Sequence, residues 1–313
     1  MNVYKEKDTV EMRQVYAETL LALATDDPTV VALEADLSSA ITTTKIKDQL
    51  KDRYINVGIM EAEMIGAAAG LAVAGYKPFI HTFANFATRR VYDQVFLSLA
   101  YAKFDAVILG SDAGVTAEHN GGTHMPFEDL SLMRIIPGAT VYEASDAVML
   151  GALLRQGHKQ PGLTYIRTIR KQATKLYDES ETFETGSKQL REGKDAAILA
   201  TGIMVAEALA AADELATLGI DVSVVDMYQL KPIDEQAVLK AAETGRIVTA
   251  ENHNVIGGLG SAVAEVLAEK KPTKMTRIGV REKFGQVGTA DWLKQEYGLT
   301  KTDIAGAVKE LLS

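Results

Sequence analysis

The sequence predicts an α/β protein of two consecutive three-layer domains, each with a largely parallel sheet covered by helices. Three observations predict it. Short apolar runs rich in β-branched residues alternate with stretches that repeat apolar residues at helical spacing, the pattern of strands buried on both faces by crossover helices. The chain has 313 residues, 47% of them apolar, enough for two cores rather than one. The alternation lapses once, in the polar stretch 171–194, and then resumes; this sets a first domain at 1–175, a linker at 176–192 and a second domain at 193–313.

In order, residues 10–24 carry Val15, Leu20, Leu21 and Leu23 at helical spacing, and after Pro28 a strand at 29–33 leads to Asp36. A polar helix at 43–50, a short strand at 54–57, a Gly/Ala-rich helix and a strand at 77–82 follow. Next come a helix at 89–101, a strand at 106–110, a long polar loop, a strand at 139–142, a helix at 146–156 and a strand at 163–167. The second half has strands at 196–200, 222–225, 247–250 and 275–280 with helices at 205–218, 234–242 and 258–268, and Thr300-x-x-Asp303 opens a last helix in capping-box style. No repeat of 20 to 50 residues and no low-complexity tract is present.

Composition excludes several classes of function. A formal net charge of −9 argues against a nucleic-acid surface, which shows a basic stripe. Without cysteine the chain has no disulfide, thiolate metal site or cysteine nucleophile. Apolar runs stop well short of the ~20 residues of a membrane span, and no export signal is visible at the charged start. The expectation is a soluble, cytoplasmic protein.

The most informative stretch is 56–90. A short strand turns through Gly58 into a helix containing Gly66, Ala67, Ala68, Ala69 and Gly70, small enough to predict a close neighbour along its backbone. At the turn stands Glu61. A helix N-terminus favours its anion by ~0.3–1 kcal/mol, whereas full burial raises a carboxyl pKa by ~3–5 units at ~1.36 kcal/mol per unit. In a closed site Glu61 keeps or shares a proton and can offer it to a ring nitrogen; in an open one it is an ordinary solvated carboxylate. Asp36, Glu61 and Phe83 each follow a predicted strand, so all three can reach one crevice at the carboxyl ends of the sheet.

G-I-M-E-A-E-M, A-G-L-A-V-A-G-Y-K-P-F and H-T-F-A-N-F-A-T-R-R-V-Y-D-Q-V resemble the pyrimidine-binding domain of the transketolase family of thiamine diphosphate enzymes. The second half resembles that family's C-terminal domain through L-A-T-G, V-D-M-Y-Q-L-K-P-I-D and E-N-H-N-V-I-G-G-L-G-S-A-V. The resemblance implies that Glu61 bonds to N1′ of the cofactor's aminopyrimidine, that Phe83 and Phe86 stack on that ring, and that Asp36, Leu37 and Arg89 lie against the cofactor. Glu63 points away from Glu61 and is structural.

The loop 111–127 holds two of the five histidines, and long polar loops in compact domains are more often functional than not. Here the family carries D-G-P-T-H-Q, so the resemblance makes His124 a catalytic residue in contact with the donor's hydroxyls. Asn120 falls where the family has Asp, and an amide can bond a hydroxyl without accepting its proton. Ser111 falls where transketolases often carry another His, and Ala40 where some carry a phosphate-binding Ser, so an altered donor pocket is expected. Arg167 and Arg170, at i and i+3, are either solvated charges or an oxyanion fork; the resemblance makes Arg170, with Arg167 as the near alternative and Arg13 as a second, the substrate's phosphate ligands. His81 is expected to be structural. So is His253, beside Gly258-Leu259-Gly260, which lacks the third glycine of a dinucleotide loop because Val263 stands there.

No G-D-G, the family's diphosphate and metal anchor, occurs. The resemblance therefore implies the C-terminal subunit of a split transketolase, a ketol transferase moving two carbons from a ketose phosphate to an aldose phosphate. It would be active only with a separate N-terminal subunit that supplies the diphosphate pocket and the Mg2+ or Ca2+ ion. A homodimer alone, or a heterotetramer with that partner, is the expected assembly. A 1-deoxyxylulose-5-phosphate synthase-like enzyme, a 2-oxo acid dehydrogenase β subunit and a non-catalytic scaffold subunit remain alternatives.

Overall fold

The computed structural model describes residues 3–313, which form two α/β domains with mostly parallel sheets. Twelve strands are present: β1 Val30–Glu34, β2 Tyr54–Asn56, β3 Lys77–Phe83, β4 Ala106–Ser111, β5 Thr140–Glu143, β6 Leu163–Arg167, β7 Lys188–Arg191, β8 Ala196–Ala200, β9 Val222–Asp226, β10 Gln229–Lys231, β11 Arg246–Asn254 and β12 Lys274–Val280. The first sheet has seven strands in the order β10-β5-β6-β4-β3-β1-β2, and the second has five in the order β12-β11-β8-β9-β7. Among the described residues the strand pairings are parallel except for the two edge pairs β10·β5 and β7·β9.

Side-chain alternation along the strands builds the layers. Val30, Ala32, Phe79, Val107 and Leu109 face the helices Met12–Asp26 and Ala147–Lys159, packing with Tyr16, Leu20, Leu150 and Leu154. Val31, Leu33, Ile80 and Ile108 face the other way, against Met64, Ile65 and Ala68 of helix Glu61–Val73 and against Val95 and Leu99. That second layer continues without a break into Leu199, Met227, Leu259 and Val263 of the later half. The segment expected as one helix at 89–101 is a tight turn at Arg89–Val91, one α turn and a wide π-type run at Val95–Tyr101.

Four expectations are corrected. The described residues of this chain supply no close neighbour for the Gly/Ala helix: a Cβ at Gly66 or Gly70 would meet nothing within 4 Å, because the helix buries its Met64–Ile65–Ala68 side and turns the glycines outward. The stretch 176–192, expected as a linker, contains β7 and anchors Tyr177 and Phe183, whose rings pack edge to face at 4.9 Å. Strand β10, which no periodicity marked, leaves the later half of the chain to pair with β5. Arg167, the near alternative for an oxyanion ligand, is 0% exposed. Its guanidinium donates to Asp129 at 2.8 and 3.1 Å, to Glu143 at 2.5 Å and to the carbonyl of Asn252 at 2.8 Å. Lying within β6, its side chain points into the protein instead of out of the strand end.

Elsewhere the local signals were sufficient. Thr300 and Asp303 form a reciprocal cap on helix Lys301–Leu312. Glu251 occupies the N-terminus of helix Leu259–Lys270, accepting from Leu259 N at 2.7 Å and Gly260 N at 2.8 Å. A Cβ at Gly258 would collide with that carboxylate, so the glycine permits close packing, as expected. His253 is buried beside it, bonded through Nδ1 to the Asn254 carbonyl at 2.7 Å, and burial pulls its pKa down to about 4. Among the described residues no helix is long and apolar enough to cross a membrane.

The buried charges govern stability in ways that can be measured. Removing Arg167 leaves Asp129 and Glu143 buried without their cation; Arg167→Met is expected to lower the unfolding free energy by about 3–5 kcal/mol, measured by urea denaturation, and an unchanged midpoint would refute the arrangement. Asp226 is fully buried, and desolvation pushes its carboxyl from 3.8 up to about 8, against the bond from Tyr177 that pulls it down. Between those two values the folded state holds a proton that the unfolded chain has released, so stability is greatest below the lower value and falls as pH rises to the upper one. Asp226→Asn, which keeps an acceptor for the Tyr177 hydroxyl now 2.8 Å from Oδ2, should flatten the thermal midpoint across that window; an unaltered pH slope would exclude Asp226 as its source.

Candidate functional site

The four neighbouring parallel strands β2, β1, β3 and β4 bring their carboxyl ends to one edge of the first sheet. At the end of β1, Asp36 adopts a left-handed backbone at φ 61° and its N–H donates to Asn56 Oδ1 at 3.0 Å. The same oxygen accepts from Gly58 N at 3.0 Å, so one amide shapes both the exit of β1 and the turn after β2. Gly58, at φ 78°, makes that turn, and Glu61 is the first residue of the helix behind it. The Asn56 amide and a turn glycine thus bring an acid to a helix N-terminus, where the peptide dipoles favour it.

Glu61 is 5% exposed. Arg90 donates to its Oε1 at 2.5 Å, and the Arg90 guanidinium lies 3.6 Å over the ring of Phe86. Phe83 ends β3 and Phe86 sits in the single turn Ala84–Ala87, their ring centroids 6.0 Å apart. The imidazole of His124 meets both edge-on, at 6.0 Å from Phe83 and 5.1 Å from Phe86. Its Nδ1 is 2.8 Å from the Thr123 hydroxyl. Burial lowers the pKa of His124, and the nearby Arg90 charge lowers it further, which leaves a neutral ring able to donate at one nitrogen and accept at the other.

Arg170 also packs on Phe83, its guanidinium 4.8 Å from the ring centroid. Asp112 holds Arg170 twice, accepting from its backbone N–H at 3.2 Å and from Nε. Arg13 joins them through the backbone, its N–H donating to the Arg170 carbonyl at 3.1 Å. The Arg13 side chain bonds Glu11 at 2.6 Å and reaches the Ala40 carbonyl at 3.5 Å. The structure therefore links Glu61, Phe83, Phe86, His124 and Arg170 in a continuous run of contacts, with Arg13 adjoining. Leu37 is half-buried and Asp36 exposed at the rim, while Asn120 is exposed on the loop that carries His124.

Two sequence-predicted residues are used elsewhere. Arg89 donates to Glu128 at 2.8 Å and is not the arginine on Glu61; its neighbour Arg90 is, because the tight turn rotates successive side chains apart. Ser111, expected on the substrate, is fully buried with its hydroxyl 3.0 Å from His81 Nε2. His81 Nδ1 is 2.9 Å from Glu34, so this histidine is interior structure. Sequence reasoning missed Arg90 and Asp112; the second Arg of T-R-R was the available signal for the first, and nothing local marked the second.

Comparison with known proteins identifies the two domains. Residues 8–175 match the family model of the transketolase pyrimidine binding domain and residues 186–304 that of the transketolase C-terminal domain. The chain is 51% identical over 302 residues to the 6-deoxy-6-sulfo-D-fructose transketolase subunit SqwH of Clostridium sp. (strain MSTE9), covering 96% of this chain and 94% of that one. It is 33% identical to an apulose-4-phosphate transketolase subunit of Phocaeicola vulgatus, covering 97% and 98% respectively. A solved structure described as "Split gene transketolase, inactive beta4 tetramer" superposes with a TM-score of 0.89 at 39% identity, covering 97% of this chain and 98% of that chain. With a buried acid and two aromatic rings at the end of a pyrimidine-binding sheet, and both domain families matched in order, the chain belongs to the transketolase family, as a relative of its split C-terminal subunits.

Proposed function

We propose that this chain is the C-terminal subunit of a two-subunit, thiamine diphosphate-dependent transketolase that moves a two-carbon ketol unit from a ketose to an aldose in the cytoplasm. The observation that carries the reading is the joined set of Glu61, Phe83, Phe86 and His124 in a chain without G-D-G. The pyrimidine-binding domain implies dependence on thiamine diphosphate, and the residues fit one end of it. Arg90 is a stand-in for that end: a flat, N–H-bearing group stacked on Phe86 and bonded to Glu61, the two contacts an aminopyrimidine ring requires. When bound, the cofactor supplies the nucleophilic carbon and the electron sink for carbon–carbon cleavage.

Around it, each residue has a physical task. Glu61, shielded from water, holds a proton at the ring nitrogen and so sets the ring's tautomer. Phe83 and Phe86 exclude water and fix the plane. His124, neutral and facing both rings, orients a donor hydroxyl and passes a proton. Arg170, held by Asp112 at Nε, keeps its terminal nitrogens for an oxyanion at the far end of the donor. Diphosphate and divalent ion are left to an N-terminal partner subunit. The outward glycines of helix Glu61–Val73 leave room for another polypeptide backbone, and a structural relative is described as inactive when assembled from one subunit type.

The similarity to a 6-deoxy-6-sulfo-D-fructose transketolase subunit, together with the changes at Asn120 and Ala40, favours a ketose ending in a sulfonate over a ketose phosphate. Donor and acceptor profiling of the reconstituted enzyme by mass spectrometry tests this; pyruvate as the sole accepted donor would instead favour the synthase or dehydrogenase readings.

Glu61→Gln is expected to reduce turnover of the reconstituted enzyme by at least about 100-fold, the low end for a positioned acid–base group, and activity near that of the parent would remove Glu61 from this role. Arg170→Ala should raise KM for the anionic donor by about 10- to 100-fold, the scale of one hydrogen bond to a charged group, while barely affecting a ketose without a terminal oxyanion. An equal loss with both donors would rule out oxyanion recognition by Arg170.

A further inference from the structure

We infer that Asn252, a residue of the second sheet, is a positioning residue that holds the His124-bearing loop in its working shape. The inference rests on the reading that this loop contacts the donor. Asn252 lies in β11, is 1% exposed, and uses both ends of its amide on the loop's first turn: Oδ1 accepts from Val115 N at 2.9 Å and Nδ2 donates to the Ala113 carbonyl at 3.0 Å. Between those residues stands Gly114, at φ 57°, where a Cβ would collide with Asn252 Oδ1. The side-chain amide therefore replaces a strand partner for a loop that has none, and it does so only because residue 114 has no side chain.

The same sheet holds the rest of the loop. Asn254 N donates to the Phe127 carbonyl at 2.9 Å, so β11 grips both ends. In the middle, a Cβ at Gly122 would collide with the Gly285 carbonyl and one at Gly121 would lie 2.9 Å from Val287, which places the 285–287 segment flat against the two glycines. Tyr297 ties that segment down, donating to the Phe284 carbonyl at 2.8 Å and packing edge to face on Phe127 at 5.2 Å. The first domain adds Asn85, which donates to the Thr123 carbonyl at 2.8 Å. Asn252 is itself fixed, because its carbonyl accepts from the buried Arg167 at 2.8 Å. His124 sits between these restraints with its ring on Phe83 and Phe86.

The test compares the parent chain with Asn252→Asp, which keeps an acceptor for Val115 N but turns a second acceptor toward the Ala113 carbonyl, and with Asn252→Ala. Hydrogen exchange of each chain alone should show amides in 113–127 exchanging at least about tenfold faster in the variants, with the strands of both sheets unchanged. In the reconstituted enzyme, kcat/KM for the donor should fall by about 10- to 100-fold, the scale of a misplacement of about 1 Å. The affinity for thiamine diphosphate, which Glu61 and the phenylalanines grip, should hold. Unchanged exchange in 113–127, faster exchange throughout both sheets, or unchanged donor kinetics would each overturn the inference. Failure of the parent assembly to transfer ketol units from any ketose would instead count against the functional reading, and the exchange measurement would still decide the role of Asn252.

Discussion

The structure depends on one buried cation. Arg167 lies at the carboxyl end of β6, where the two sheets face each other, and it joins Asp129, Glu143 and the Asn252 carbonyl. Burying three charges costs several kcal/mol of hydration per ion, which only good geometry and full hydrogen bonding offset. Asp129 meets both conditions, since it also accepts from the Tyr165 hydroxyl at 2.9 Å, whereas Glu143 is bonded through Oε1 and its buried Oε2 has no partner among the described residues. Glu143 is pressed so close to the second sheet that a Cβ at Gly202 would collide with its Oε1. The cluster contributes less to net stability than to orientation, since it sets the strand ends of one sheet against those of the other.

That orientation explains how the crevice is furnished. Local features supply the acid and the rings, because a strand, a turn glycine and a helix suffice to present Glu61, and two residues of one turn separate Phe83 from Phe86. The His124 loop needs more. It has no strand partner of its own and takes its shape from β11 and from the 285–287 segment. The later sheet thus shapes this loop even though it adds no side chain to the run from Glu61 to Arg170.

How much of this was legible in the sequence follows from the range of each interaction. Strands buried on both faces announce themselves as apolar runs, and Glu61, Phe83, Phe86 and His124 fall in compact motifs whose meaning does not depend on distant partners. Arg167 and Arg170 could not be told apart, since three residues of sequence say nothing about Asp129, 38 positions upstream, claiming one of them. Arg89 and Arg90 differ by the rotation of a single tight turn. Ser111 is expected on the substrate because nothing in the sequence marks His81 as reaching it from the next strand. Strand β10 is three residues long and carries no period at all; its pairing partner alone defines it.

Strand β10 also bears on how such a chain can be inherited. Its three residues follow β9 of the later sheet directly, yet they form the border of the earlier one against β5. Recombination that exchanged the later module for that of a distant relative would carry away a border of the earlier sheet as well. The two modules are therefore expected to be transmitted as a pair, with the edge residues on each changing in step.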